Sequence, residues 1–254
     1  MPCLFLSAGL SLFSPVAAAT DCPSAHYDER VRVKQIIDGD TLQLADGRHL
    51  RLIGINTPER ATRTRRAEPL AEEARRSLQS LVDTERPFRL RRGKEKQDRY
   101  GRLLAHLFNA DGRNITASLL SAGMGAAIQI PPNLWGYTCY LEAENRARKQ
   151  RRGIWQHPYF IPLEADRLGA DTRGFHFVRG RLSRVGKSKT ALWLNLGEDF
   201  ALRIPEKAFP WFKSFPFDQL VGKQLTARGW IYRRKGQLRM NLYHPASLEI
   251  NVRQ

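Results

Sequence analysis

The sequence predicts a mainly β protein with helices (α+β): a five-stranded OB-type barrel carrying three helices, followed by a second, smaller OB-like barrel. Three observations carry this reading. Short Val-, Ile- and Leu-rich runs separated by turn residues recur through residues 30–108 and again through 175–242. A single helical pattern, residues 68–82, falls between the third and fourth runs of the first set, which is the order of a small Greek-key barrel. Between the two sets, residues 158–173 are irregular and linker-like.

Residues 30–37, 41–45 and 48–55 read as the first three strands. Val31 and Val33 are apolar at odd positions, Leu42 and Leu44 at even ones. Side chains alternate strictly along a strand, so the switch predicts a bulge or bend near Asp38-Gly39-Asp40. Asp46-Gly47 reads as a hairpin turn. Residues 60–67 are a basic loop without apolar period, and the helix after it shows a stripe of Leu70, Ala74, Leu78 and Leu81 or Val82. Residues 88–92 and 103–108 read as the fourth and fifth strands, with 93–97 a charged loop between them. A second helix is expected over 115–122, capped by Asn114 and ended by Gly123. A short extended piece, 126–130, stops at Pro131-Pro132. The third helix, about 140–150, carries Arg146, Arg148 and Lys149 near its C-terminal end, where cations suit the helix dipole. The second set of strands is 175–182, 191–196, 201–204, 224–231 and 237–242, interrupted by the segment 208–220.

Among 254 residues, 42 Lys+Arg stand against 25 Asp+Glu, a formal net charge of +17. Such a field attracts polyanions and fits nucleic acid or an anionic surface. Residues 1–19 carry no charged side chain and end in Ala17-Ala18-Ala19. The apolar run is shorter than the roughly 18–20 residues that span a bilayer. It is expected to be an export signal rather than an anchor, although no Lys or Arg precedes it. The mature chain would then be secreted or periplasmic, with no stable membrane insertion. Cleavage there leaves Cys22 and Cys139, an even count that suggests one disulfide in an oxidising compartment; two free thiols are the alternative. Neither sits in a Cys-x-x-Cys pair, which argues against zinc.

The chemistry concentrates in residues 36–59. Asp38 and Asp40 flank Gly39, Arg51 lies inside the next strand, and Asn56 and Glu59 follow its end. Two carboxylates aimed together repel unless a hard cation or an arginine relieves them. Taken singly, each has a plainer reading: a turn bonding its own backbone for the aspartates, a surface ion pair for Arg51 or Arg102, a helix start for Glu59. His49 and His106 read as surface or packing residues of their strands. Arg63, Arg65, Arg66, Lys94 and Lys96 lie in loops beside the expected site, either guiding a polyanion or simply solvated.

Four pieces in order are more specific: Ile37-Asp38-Gly39-Asp40-Thr41, the run Arg51 to Glu59, Asp98-Arg99-Tyr100-Gly101-Arg102, and Gly153-Ile154-Trp155. With them, residues 28–157 resemble the staphylococcal nuclease (thermonuclease) family. The resemblance implies Ca²⁺-dependent hydrolysis of DNA and/or RNA phosphodiesters, leaving 3′-phosphates. It implies that Asp40 is a direct Ca²⁺ ligand, that Asp38 sits beside the ion, and that Thr57 offers its carbonyl. Glu59 would position or deprotonate the attacking water, Arg51 and Arg102 would grip the scissile phosphate, and Arg99 and Tyr100 would contact a neighbouring one. Arginine suits this task because its planar fork meets phosphate oxygens in pairs. The chain departs from the family twice. Asn56 stands where the family has a ligating aspartate, removing one negative charge, and Ile128 and Ile130 stand where the family has substrate-holding tyrosines.

The domain plan is thus a signal peptide over 1–19, a nuclease domain over 28–157, a linker over 158–173 and an accessory module over 174–254. That module carries 15 Lys+Arg against 5 Asp+Glu. Phe209, Trp211, Phe212, Phe215 and Phe217 read as barrel filling, with base stacking as the alternative. Trp193, Trp230 and Tyr232 alternate near Arg228, Arg233, Arg234 and Lys235, a mixture that suits single-stranded nucleic acid; a stabilising or partner-docking barrel is the alternative. The expected whole is an exported, monomeric Ca²⁺-dependent endonuclease. A non-catalytic nucleic-acid-binding protein and a cell-envelope adaptor are the competing readings.

Overall fold

The computed structural model describes residues 22–251; the expected export segment lies outside them. Among the described residues the chain is mostly strand, with three α-helices and several short 3-10 turns.

The first sheet comprises β1 (Glu29–Val31), β2 (Val33–Ile36), β3 (Thr41–Leu44), β4 (His49–Leu52), β6 (Phe88–Gln97) and β7 (Leu103–Phe108). A separate short pair joins β5 (Ile55–Asn56) to β8 (Ala126–Ala127). The order of the first sheet is β1-β6-β7-β4-β3-β2. β1 and β2 are neighbours in sequence, separated by Arg32, yet occupy opposite ends of that order. The sheet must therefore curl, and the expected single strand 30–37 divides because each half pairs with a different edge. The helices α1 (Ala71–Leu81), α2 (Ile115–Ser121) and α3 (Tyr137–Lys149) pack around it. Asn114 caps α2 as expected, accepting the Ala117 N–H at 3.1 Å.

The expected bend falls at 38–40, in the loop of the β2–β3 hairpin, and a separate register shift lies between Val33 and Gln35, at the exposed Lys34. One local expectation is corrected. Residues 93–97 belong to β6 and are not a loop. Their charged side chains hide a backbone that is still paired: Asn133 accepts from the Glu95 N–H and donates to the Glu95 carbonyl, both at 3.0 Å.

Burial of Leu42, Leu44, Leu50, Leu52, Leu90 and Leu107 fills the first core. Tyr140 is its polar centre. Its hydroxyl meets His106 Nδ1 at 2.7 Å and accepts from Asn114 Nδ2 at 2.9 Å. Burial, then the Arg91 charge, pushes His106 down to about 3, so it is a neutral packing residue. Gly54 is required above this ring: φ is +88°, and a Cβ would lie 2.4 Å from Tyr140 Cδ2. A Cys22–Cys139 disulfide, spanning 117 residues, ties the lead-in to α3.

The second sheet contains β9 (Leu163–Glu164), β10 (Gly174–Ser188), β11 (Ala191–Leu196), β12 (Phe200–Pro205), β13 (Gln224–Arg234), β14 (Gln237–Asn241) and β15 (Leu248–Asn251). The long β10 pairs with β13 over its first half and β11 over its second. The pairings β10-β11-β12-β14-β13 therefore return on themselves. Residues 158–173 hold two 3-10 turns and β9, which runs parallel to β10. Phe212, Phe215 and Phe217 cluster with ring centroids 5.0–5.9 Å apart, and Phe212 is buried in the second core, as barrel filling requires.

The second sheet meets the β5–β8 pair and the turn after α3 over a small apolar cluster of Ala126, Ile154, Phe175 and Phe177. Arg228 is buried there, donating to Glu144 at 2.7 and 2.8 Å and to the Ala127 carbonyl at 3.2 Å. Of the two readings the sequence offers for this strand, Arg228 therefore does not fit the nucleic-acid-facing one: it is consumed in joining the second sheet to α3 and β8.

Candidate active site

The site is built on two hairpins that the local sequence dictates. The loop 37–40 puts Asp38 and Asp40 side by side because Ile37 and Asp38 both donate backbone N–H groups to the Thr41 carbonyl. Asp38 then accepts the Asp40 N–H at 3.0 Å, an Asx-type turn. Gly39 is pressed onto the chain opposite, where a Cβ would meet Thr57 Oγ1 at 2.7 Å and Ala74 Cβ at 2.8 Å. The turn at Asp46-Gly47 forms as expected, with Gly47 at φ +89°, and it sets Thr41 opposite Arg51 across β3 and β4.

Asp40 is buried and heavily bonded. One carboxylate oxygen accepts from Thr57 N and Thr57 Oγ1, both at 3.0 Å, and lies 2.9 Å from Arg51 Nη2. The other accepts from Thr41 Oγ1 at 3.2 Å. Arg51 is further fixed by donating Nη1 to the Leu52 carbonyl at 2.6 Å. Arg102 joins the same network through Thr41 Oγ1 at 3.3 Å. It is aimed by Asp98, which accepts from Nε at 2.7 Å and also caps the turn through the Tyr100 and Arg102 N–H groups. Burial opposes it, but these bonds hold the Asp98 carboxyl below its ordinary range.

Burial first, then the charge of Asp40, pushes the Asp38 carboxyl up to about 6. Two carboxylates thus share one nearby guanidinium, Arg51. Among the described residues no three His, Cys, Asp or Glu side chains gather as a metal-sized group. The donor set is two carboxylates plus neutral oxygens, hard ligands that fit a cation such as Ca²⁺. Asn56 is buried beside them, its Nδ2 facing the Thr57 carbonyl at 3.4 Å; only the turned-over amide would bring its oxygen to the same point.

Arg51 and Arg102 line one cavity of about 220 Å³, together with Asp98, Ile128, Ile130 and Trp230. Arg99 and Tyr100 sit on the exposed turn at its rim, the Arg99 guanidinium 4.8 Å from the Tyr100 ring centroid. Glu59 stands in a separate pair. Its carboxylate binds Arg65 at 2.9 Å, and its backbone N–H donates to Glu68 at 2.9 Å. Burial, opposed by that backbone bond, raises the Glu68 carboxyl. Arg65 is therefore engaged with Glu59, whereas Lys94 and Lys96 remain exposed.

Two further residues belong to the site, both within the motifs quoted above: Thr41 bridges Asp40 and Arg102, and Asp98 aims Arg102. Trp230, which the sequence offers as a single-strand contact of the accessory module, lines the cavity of the arginines.

Comparison with known proteins gives the family of the chain. The family model described as staphylococcal nuclease homologue matches residues 49–157. A thermonuclease of Staphylococcus intermedius is 31% identical over 131 residues, covering 50% of this chain and 77% of that protein. A thermonuclease of Staphylococcus hyicus is 29% identical over 133 residues, covering 51% and 78%. An uncharacterized endonuclease of Escherichia coli is 27% identical over 146 residues, covering 52% and 80%. The chain belongs to the staphylococcal nuclease homologue family. Its class is that of a nuclease, a phosphodiester hydrolase.

Proposed function

We propose that the protein is an exported, monomeric, Ca²⁺-dependent endonuclease hydrolysing DNA and/or RNA, with residues 28–157 as the nuclease domain and 174–254 as an OB-like accessory module. The observation that carries this reading is the charge layout of the site. The buried Asp40 and the half-buried Asp38 are two carboxylates set around one guanidinium, Arg51, and that same Arg51 shares a cavity with Arg102.

In this reading Asp38, Asp40, the Thr57 carbonyl and a turned Asn56 amide would hold Ca²⁺. When bound, the ion supplies positive charge beside a phosphoryl oxygen. The protein's own work is electrostatic and positional. Arg51 and Arg102 bind the non-bridging oxygens of the scissile phosphate and hold them more tightly as charge builds in the five-coordinate transition state. Glu59 accepts a proton from the attacking water. Its pair with Arg65 is half-exposed and hence weak enough to give way to that water. Arg99 and Tyr100 hold an adjacent phosphate. Departure of the 5′-oxygen leaves a 3′-phosphate.

Export is supported by the charge-free segment 1–19 and by the Cys22–Cys139 disulfide, a bond typical of oxidising compartments. A cleavage assay on single- and double-stranded nucleic acid, with Ca²⁺ or EDTA, tests the reading. Wild type cleaves only with Ca²⁺, while Glu59→Ala and Arg102→Ala are strongly impaired. Cleavage undiminished in EDTA, or full activity in both variants, refutes it.

A further inference from the structure

We infer that Trp230, from the second sheet, is a base-stacking platform of the nuclease cleft, seating a nucleobase next to the phosphate held by Arg51 and Arg102. The inference rests on the proposed nucleic-acid substrate and assigns the accessory module a place in the same site.

Three observations carry it. Trp230 lines the 220 Å³ cavity that both arginines also line, with Ile128 and Ile130 among its apolar walls and Asp98, paired to Arg102, among its polar ones. The indole is 39% exposed, although an aromatic at a junction between sheets gains by being covered. Its edge-on contact with Phe175, ring centroids 5.1 Å apart, supports the ring without covering it. A nucleotide combines an anion with a flat apolar ring, and this cavity offers two guanidiniums and a flat apolar ring in return.

The platform is also fixed in place. Residues i and i+2 of a strand share a face, so Arg228 and Trp230 leave β13 on the same side. Arg228 is buried against Glu144 and the Ala127 carbonyl. Ala127 pairs with Ile55, and Ala126 with Asn56, on the strand that leads into Thr57. The second sheet is thus anchored to the strand behind the acidic pair, and Trp230 lies one step along from that anchor.

The test is equilibrium binding in EDTA, where no turnover is needed. Fluorescein-labelled pentathymidylate is compared with the same backbone carrying abasic sugars throughout, so that phosphate contacts are common to both. Wild type prefers the base-bearing ligand by roughly 10- to 100-fold. Trp230→Phe keeps most of that preference. Trp230→Leu, which still packs on Phe175 but has no π face, loses most of it, and both variants melt near the wild-type temperature. With Ca²⁺, Trp230→Leu raises KM for oligonucleotides and leaves kcat near wild type. The inference is overturned if wild type shows no preference for bases, or if Trp230→Leu retains it in full. Failure of wild type to cleave would sink the proposed hydrolysis instead, and the binding comparison in EDTA would remain readable.

Discussion

Asp38, Asp40 and Arg51 beside the cavity, and Glu144, Arg148, Arg228 and Glu249 between α3 and the second sheet, are made of the same two kinds of side chain. Between α3 and that sheet, two carboxylates meet two guanidiniums. Arg228 reaches Glu144 and Glu249, and Arg148 reaches the same two acids. Burial would raise the Glu249 carboxyl, but Arg228 and Arg148 hold it below its ordinary range. Around Arg51, two carboxylates meet one guanidinium, and Asp38 is raised instead. The balanced cluster is a structural joint. The unbalanced one is where the proposed Ca²⁺ would sit.

Breaking the joint gives the largest effect. Removing one partner of a buried pair leaves an uncompensated charge, which costs about 3–5 kcal/mol. Arg228→Ala is expected to lose that much in urea denaturation. A loss under about 1 kcal/mol would mean that Glu144 finds water or Arg148 alone sufficient.

Breaking the proposed phosphate grip is expected to leave stability alone and remove activity. Arg102 is half-exposed and is bonded to Asp98 and Thr41. Arg102→Ala is expected to lower kcat by roughly 10²–10³-fold, the usual result of deleting one donor to a developing anion, with an unchanged melting temperature. A kcat within a few-fold of wild type would remove Arg102 from the reaction.

Neutralising Asp38 sharpens the contrast, because it stabilises where Arg228→Ala destabilises. The folded carboxyl is raised to about 6 from an ordinary 3.8. The folded state therefore holds the proton more tightly than the unfolded chain. That contribution is full below pH 4 and is lost as pH rises through 6. In EDTA at pH 7.5, Asp38→Asn is expected to be more stable than wild type by up to about 3 kcal/mol, with the gap closing near pH 4. Equal gaps at both pH values would show that the cause is not the carboxylate's charge.

Residues 36–59 were legible because their geometry is local: a hairpin loop, a Gly47 turn and a strand put the acids and Arg51 together within two dozen residues. The Asn114 cap was legible for the same reason. What escaped was long-range. Strand β6 runs through Gln97 partly because Asn133 bonds Glu95 from 38 residues away. Arg228 resembled a phosphate contact until Glu144, 84 residues earlier in the chain, was found beneath it. Trp230 then follows Arg228 into the cleft. Strand alternation could place both on one face, but could not say what that face would meet.

Asp98 tests how far the site depends on aim. It touches no candidate phosphate position directly and acts through Arg102, whose Nε and Nη2 each lie 2.7 Å from the same carboxylate oxygen. Asp98→Asn can still accept from the turn N–H groups but no longer offers a charged oxygen to the guanidinium. A misplacement of this kind is expected to reduce kcat by up to roughly 100-fold, less than deleting Arg102 itself. The informative measurement is the double variant. If Asp98 works only by aiming Arg102, Asp98→Asn/Arg102→Ala is no slower than Arg102→Ala, because the second change has nothing left to misplace. Multiplicative losses would show that Asp98 acts elsewhere, through the turn that carries Arg99 and Tyr100.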